Sequence, residues 1–592
     1  MKEDNYDVVI VGAGIAGAIL AKELTEKKKR VLLLEAGKAS DDYLSYLEVF
    51  YTALAKVPNS PYPDNPNAPS QNVLNLGPIP AGGPNLNGYM VQYGPVPFGS
   101  DFTRVSGGTT MHWLGHSFRM LPNDFKLHSK YGHGVDWPIS YDDLKPFYEK
   151  SEWEIGVSAD VEGQIYPGMG NNFFGKNYYY PMKSLPASYL DQKVAGGIQG
   201  MKVKLGKNAY PLSVITTPQG RNSTPNKGYK PIGASWDNNI GQRCEGNSNC
   251  VPICPVQAKY NALKTLNKAD QKYLTVINQA VASNLIIDPE TNRIKGVTYK
   301  QYQSAQSSDH TSHTVRGKIF IIAAHAVETA KLLLASNAAN SSDLVGRCLM
   351  DHPTMLTWGL MPEDIGSYRG PGATSHIPTF RDGAFRKEHS AFIIPVDNWG
   401  WLWGEFSPGS DVTRAINQLN LFGKKLRGYL DGFVSRQFGL QFEFEQLPQH
   451  ANRVTIDPNY LDQLGNYRPV VHYDISDYTR AAMEAAKGVS DMIFAKLGVE
   501  DYTNYSPGDT GYLPWKGTGY TFKGAGHLVG THRMGKNKSD SVVDENQKSW
   551  DHKNLYLVGP GSMPTLGTSN PTLTVAALAF KSAAKILKDL GN

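Results

Sequence analysis

Tyr6-Asp-Val-Val-Ile-Val11-Gly12-Ala-Gly14-Ile-Ala-Gly17-Ala-Ile-Leu-Ala-Lys-Glu-Leu-Thr-Glu26, followed by Val31-Leu-Leu-Leu-Glu35, decides the fold. A short apolar run, a glycine loop, a stretch of helical composition and a second apolar run ending in an acid stand in the order that a dinucleotide-binding βαβ unit requires. Gly12 makes the tight turn, Gly14 lets a pyrophosphate approach the backbone, and Gly17 allows the helix to pack closely. The phosphates then rest on a helix N-terminus, where free N–H groups favour anions. Glu35, 18 residues beyond Gly17, is placed to accept ribose hydroxyls. FAD and NAD both satisfy this segment.

The rest of the composition narrows the class. With 592 residues and 40% hydrophobic side chains the chain can bury a large core and should divide into at least two domains. Its 59 basic and 54 acidic side chains nearly balance, and the one dense basic run, Lys27 to Arg30, reads as a solvated helix end, so nucleic acid is not indicated. No 18-residue apolar run marks a membrane span. The apolar stretch Val8 to Ala21 carries its glycines at phosphate-loop spacing, with no small-residue cleavage site after it and no twin-arginine pair. Between Val57 and Ser100 lie ten of the 37 prolines, so residues 51–99 read as a Pro/Asn/Gly-rich excursion or lid that holds no long helix or central strand.

Three of the four cysteines fall in Cys244-x5-Cys250-x3-Cys254, with Pro255 next. That is a metal-ligand spacing. Three thiolates suit an iron–sulfur cluster, or zinc with a histidine as fourth ligand, or they are plain buried thiols. The lack of a nearby histidine and the adjacent proline favour the cluster. Cys348 stands alone and reads as a core thiol.

Three further runs carry a resemblance. They are Arg104-Val-Ser-Gly107-Gly108-Thr109-Thr110-Met111-His112-Trp113, then His527-Leu-Val-Gly530-Thr531-His532-Arg533-Met534-Gly535, and last Asn554 to Gly559 with Gly567-Thr-Ser-Asn570-Pro571-Thr572. With the opening glycine motif, these resemble the glucose-methanol-choline family of FAD oxidoreductases over nearly the whole length. The cysteine run is similar to that of the catalytic subunits of bacterial sugar dehydrogenases, of the glucose, fructose, gluconate or glucoside 3-dehydrogenase type.

The resemblance implies a Rossmann-like FAD-binding domain from residues 1–50, 100–125, 241–355 and 536–592. It implies a second α+β substrate domain on an antiparallel sheet, from 126–240 and 356–535. It implies His527 as general base, with Asn570 as its partner beside the substrate hydroxyl and His532 structural. Gly107, Gly108, Thr109, Thr110, Gly559, Pro571 and Thr572 would join the first glycines around FAD. His112 is either bonded to the flavin 8-methyl group or a packed histidine. Cys244, Cys250 and Cys254 would hold a three-iron, four-sulfur cluster that relays electrons to a multihaem c-type cytochrome or a quinone-linked acceptor. The expected location is periplasmic, reached with a small signal-bearing subunit.

The implied activity is oxidation of a sugar, glycoside or polyol hydroxyl with hydride transfer to flavin N5. A peroxide-producing oxidase, a flavin-requiring lyase or a flavoprotein electron-transfer module are the alternatives. Asn570 is expected to cap a helix whose first residue is Pro571 and whose apolar stripe is Leu573, Ala577, Phe580, Ala584 and Leu587. Strands are expected at 274–287, 294–302, 318–324, 438–444, 453–456 and 469–475, the last three roofing the substrate pocket. His325 departs from the glycine usual at its position, which puts the local backbone path in question.

Overall fold

The computed structural model describes residues 6–39, 48, 62–71, 76–234, 242–246, 254–367, 372–398 and 408–591. The opening motif folds as read: β1 (Tyr6–Val11), α1 (Ile15–Thr25) and β2 (Val31–Leu34), with Val8 opposite Val31 in a parallel pair. They form the centre of a five-stranded sheet in the order Leu555–Leu557, Gly317–Ile322, β1, β2, Leu274–Ile277. All four pairings are parallel, and the central strands are buried on both faces, with α1 against β1 and β2 and the antiparallel strands Ala280–Ile287 and Ile294–Tyr302 against β2 and Gly317–Ile322, so they read as apolar runs instead of alternating ones.

Two glycines here are steric necessities. Gly12 has φ +103°, and a Cβ on it would lie 2.5 Å from the Ala323 carbonyl oxygen; one on Gly17 would lie 1.9 Å from the Gly12 oxygen. The sheet can therefore bring its strands and α1 together only with these residues.

Strand Gly317–Ile322 leads through His325 into helix Ala326–Ala335. The backbone keeps the left-handed turn that a glycine would adopt freely, since His325 has φ +66°. What holds it is packing: the imidazole is stacked on Phe102 with centroids 4.5 Å apart.

The second layer is a seven-stranded antiparallel sheet whose centre is β3 (Pro353–Leu360) beside β4 (Gln437–Phe444). Strand β4 alternates strictly. Phe438, Leu440, Phe442 and Phe444 are buried in the core, while Gln441 and Glu443 point the other way. The expected roof is corrected here: only β4 belongs to this sheet. Val470–Tyr473 is instead the middle strand of a separate three-stranded sheet, between Arg453–Thr455 and Val91–Pro95 of the proline-rich excursion. Val91–Pro95 takes the edge position there, as its proline requires.

The two layers are tied by α2 (Thr572–Asp589), which packs against α1 and helix Tyr141–Ile155. Its buried face runs Leu573, Ala577, Phe580, Ala583, Ile586; the expected Ala584 is exposed. Buried charge fastens the second layer below the substrate side. Arg386 reaches Glu445 at 2.6 Å, Asp124 at 3.0 Å and Asp382 at 3.2 Å, all with little or no solvent access.

Candidate functional site

Two adjoining cavities meet between the layers. The first is lined by Gly12, Gly14, Glu35, Gly108, Thr109, Thr110, Pro571 and Thr572, all predicted cofactor residues. The second contains His112, His527 and Asn570. Thr109, Trp113, Gly526 and Thr572 line both. Gly17, Gly107 and Gly559 stand behind the wall: Gly17 sets helix packing, Gly107 has φ +93°, and Gly559 precedes the lining residue Pro560.

The first cavity fits an anionic dinucleotide on its own chemistry. Helix α1 has no side-chain cap and no acid in its first turn, so its leading N–H groups are left for an outside acceptor. The space where a Gly14 Cβ would sit is open, and the second glycine motif closes on it, with a Gly108 Cβ position 3.1 Å from the Gly14 Cα. Arg104 Nη1 and His325 Nδ1 are buried without a hydrogen-bond partner, and both residues line the cavity. Glu35 stands at its edge, with Oε2 accepting from Ala13 N at 2.8 Å and Oε1 from Gly37 N at 2.8 Å. Burial pushes this carboxyl up from its ordinary value, against those two hydrogen bonds and the charge of Arg104.

In the second cavity the predicted pair is brought together: Asn570 Nδ2 donates to His527 Nε2 at 3.0 Å. Here the helix expectation is corrected. Helix α2 starts at Thr572 with Pro571 in the cap position, and no side chain caps it. The Asn570 carboxamide is thereby free to turn to the histidine, leaving its Oδ1 buried without a partner.

His352 and Asp351 complete the arrangement and were missed in the sequence. His352 Nε2 lies 2.9 Å from the Gly567 carbonyl oxygen, and His352 Nδ1 lies 2.8 Å from His527 Nδ1. A carbonyl only accepts, so His352 must carry its proton on Nε2 and accept at Nδ1. His527 must then donate from Nδ1, and its Nε2 holds the lone pair. That assignment also fixes the amide orientation of Asn570. Burial drives both imidazoles toward the neutral form, His352 down to about 4 and His527 well below its ordinary value, with the neighbouring imidazoles adding to the latter.

Asp351 Oδ1 accepts from the backbone N–H of both His352 and His527 at 2.8 Å, and Oδ2 from Ala525 N at 3.1 Å. Register explains the convergence. Pro353 pairs with Gly524 and Thr354 with Glu443, so the ends of three strands bring residues 351–352, 525–527 and 443 to one place. The adjacent acid and histidine of Met350-Asp-His-Pro353 were the available signal, but nothing in the local pattern says where that strand end points.

His112 follows the short helix Gly108–Met111 and faces the second cavity. His532 is buried away from it, with Nδ1 near Thr531 Oγ1 at 3.3 Å, as expected of a structural residue. Cys348 is buried, and burial pushes its thiol up, as befits a core position.

Of the metal candidates, Cys254 is buried and Cys244 packs against the same small cluster; Cys250 lies outside the described residues. This loop is held close to the first cavity. Cys244 N donates to Asn222 O at 2.9 Å, and Trp113 Nε1 donates to Tyr260 O at 2.7 Å. Lys264 is buried, and burial draws its ammonium down to about 8 against the opposing influence of Cys254.

Comparisons with known proteins agree with this geometry. Two GMC oxidoreductase family models match residues 6–354 and 448–579. The fructose dehydrogenase large subunit of Gluconobacter japonicus is 35% identical over 99% of this chain and 98% of its own length. The gluconate 2-dehydrogenase flavoprotein of Pantoea cypripedii is 22% identical over 98% of this chain and 93% of its own. Among solved structures, pyridoxine 4-oxidase from Mesorbium loti superposes with a TM-score of 0.63 at 18% identity, covering 98% of this chain and 99% of that one. A cavity that fits FAD, a histidine–asparagine pair beside it and two matching family segments lead to one conclusion: the chain belongs to the GMC oxidoreductase family of FAD-dependent enzymes acting on CH–OH donors.

Proposed function

We propose that this chain is the flavin-bearing subunit of a dehydrogenase that oxidises a hydroxyl of a sugar, glycoside or polyol and sends the electrons on through an iron–sulfur cluster. The observation that carries the chemistry is the hydrogen-bond chain from Gly567 through His352 to His527, which leaves the His527 Nε2 lone pair facing a cavity contiguous with the flavin site. FAD, when bound, supplies the hydride acceptor at N5.

The protein's own part is proton handling and alignment. The substrate hydroxyl enters between the two side chains, replacing the Asn570 Nδ2 to His527 Nε2 hydrogen bond: it donates to His527 Nε2 and accepts from Asn570 Nδ2, which sets the carbinol carbon toward the flavin cavity. As the hydride leaves, His527 Nε2 takes the hydroxyl proton, and its Nδ1–H keeps donating to His352. Asp351 accepts from the backbone N–H of both His352 and His527 and so holds the two histidines in this arrangement.

Packing of Cys244 into the small cluster around Cys254 keeps two of the three thiols of the run together, which supports the cluster. Likeness to a protein named as a large subunit supports a multi-subunit enzyme; a cytochrome acceptor, a small signal-bearing partner and a periplasmic location complete the proposal. Among the described residues no helix is long and apolar enough to cross a membrane.

The test is anaerobic mixing of the FAD-loaded protein with sugars and polyols. Bleaching of the flavin absorbance, with a ketone or lactone product identified by NMR, is the expected result. A flavin that stays oxidised with every sugar and polyol removes the reading.

A further inference from the structure

The reaction pocket has an unusual wall. Asp101, Asp397 and Glu443 line it together with His116, His527 and Asn570, and among the described residues no lysine or arginine lines it. Arg221 and Lys259 stand behind the wall and donate to the carbonyl oxygens of the lining residues Leu114 and Trp113, while Lys523 and Arg414 line the neighbouring cavity, which shares Gly99 and Gln441 with this one. A substrate carboxylate placed at the reacting end would meet acids without a counter-charge, and that costs affinity.

Glu443 stands out among these acids. It is 3% exposed, projects from the polar face of β4, and lies with His352 and His527 in a cluster whose ligand atoms are all within 4.8 Å of one another. Its Oε1 accepts from Gln441 Nε2 at 3.1 Å, and its Oε2 is buried with no partner. Such an atom needs a partner from the ligand, since an unsatisfied buried oxygen is costly.

We infer that Glu443 is a specificity-determining residue of this pocket: it donates a hydrogen bond to a neutral substrate oxygen beside the oxidised carbon, and it stands with the acidic Asp101 and Asp397 on a wall that favours uncharged sugars and polyols over sugar acids. This rests on the sugar-oxidising reading given above. The groups facing Glu443 explain why it acts as a donor. Asp351 sits behind it from the segment before β3, His352 and His527 are neutral, Gln441 is on its own strand, Thr354 is opposite, and Asp397 follows the strand on its far side. Burial, helped by Asp351, pushes the Glu443 carboxyl up to about 8, so near neutral pH it holds a proton to donate. Ionised, it would accept only. The sign follows: substrate capture is intact below pH 8 and is lost as pH rises through it.

The experiment uses the FAD-loaded full chain, anaerobic flavin bleaching, and four probes: D-fructose, D-glucose, D-sorbitol and D-gluconate. A neutral probe is expected to bleach the flavin with a kcat/KM at least about 100-fold above that of D-gluconate, and its kcat/KM should fall about tenfold per unit above pH 8. Glu443→Ala should raise KM about tenfold or more while moving kcat less and leaving FAD content unchanged, the effect of one lost hydrogen bond. Glu443→Gln keeps a donor, so it should recover most of that loss at pH 7 and abolish the alkaline fall. Gluconate turnover equal to the best neutral probe overturns the preference for uncharged substrates, and an unchanged KM in Glu443→Ala or an alkaline fall that persists in Glu443→Gln overturns the role of Glu443. If none of the four probes bleaches the flavin, the sugar reading itself falls, and this inference with it.

Discussion

His527 and His352 carry different duties although they are hydrogen-bonded to each other. His527 presents its lone pair to the cavity, so His527→Ala should lower kcat by about 10²–10⁴ with FAD still bound at full occupancy. Flavin content from absorbance and kcat from dye reduction check it together. His352 acts at one remove: by accepting at Nδ1 it keeps the proton of its neighbour on the far side of the ring. His352→Leu removes the acceptor and should lower kcat about 10–100-fold with KM little changed, by analogy with the usual worth of a correctly placed proton. His352→Gln, whose amide oxygen can accept the same N–H, should recover most of the rate. A merely space-filling residue would be restored by Leu and Gln alike.

At the scale of elements, the site depends on strand ends held by buried charge. Glu445, two residues past Glu443, is paired with Arg386, which also holds Asp124; and Asp124 fills the space where a Gly567 Cβ would sit. The loop 567–570, which supplies the Gly567 carbonyl and Asn570, is gripped further by Arg381, donating to Thr568 Oγ1 at 3.1 Å and Ser569 Oγ at 2.7 Å. Removing one cation from such a cluster leaves buried carboxylates without compensation. Arg386→Met should therefore cost about 3–5 kcal/mol of stability, read as a lower denaturation midpoint. Removing one of the three carboxylates with Glu445→Gln in the same chain should return part of the loss.

For the whole molecule, Trp113 links the two proposed redox centres. It lines both cavities and donates to Tyr260 in the segment that follows Cys254. The flavin motifs are remote in sequence from the cysteine loop, so the two functions should be separable. Cys254→Ser should lose iron by elemental analysis while FAD binds and a sugar still bleaches it in one anaerobic turnover. Cytochrome reduction in the steady state should collapse. Zinc without iron in the unaltered protein would make the triad a structural clip and remove the relay.

The opening motif was legible from residues 6–35 because its contacts are local. A turn that needs positive φ, a helix that needs a close approach and strands buried on both faces each leave a mark on their own residues. His527 and Asn570 were legible through motif resemblance, as single positions. Their joining was not, since 43 residues separate them and the hydrogen bond exists only after Pro571 takes the helix cap. The duty of His352, the placing of Glu443 and the partnership of Val91–Pro95 with Val470–Tyr473 were decided by tertiary structure alone. The reason is physical: strand register sets which side chains share a face and an end, and register arises from pairing between distant segments, so no window of sequence contains it.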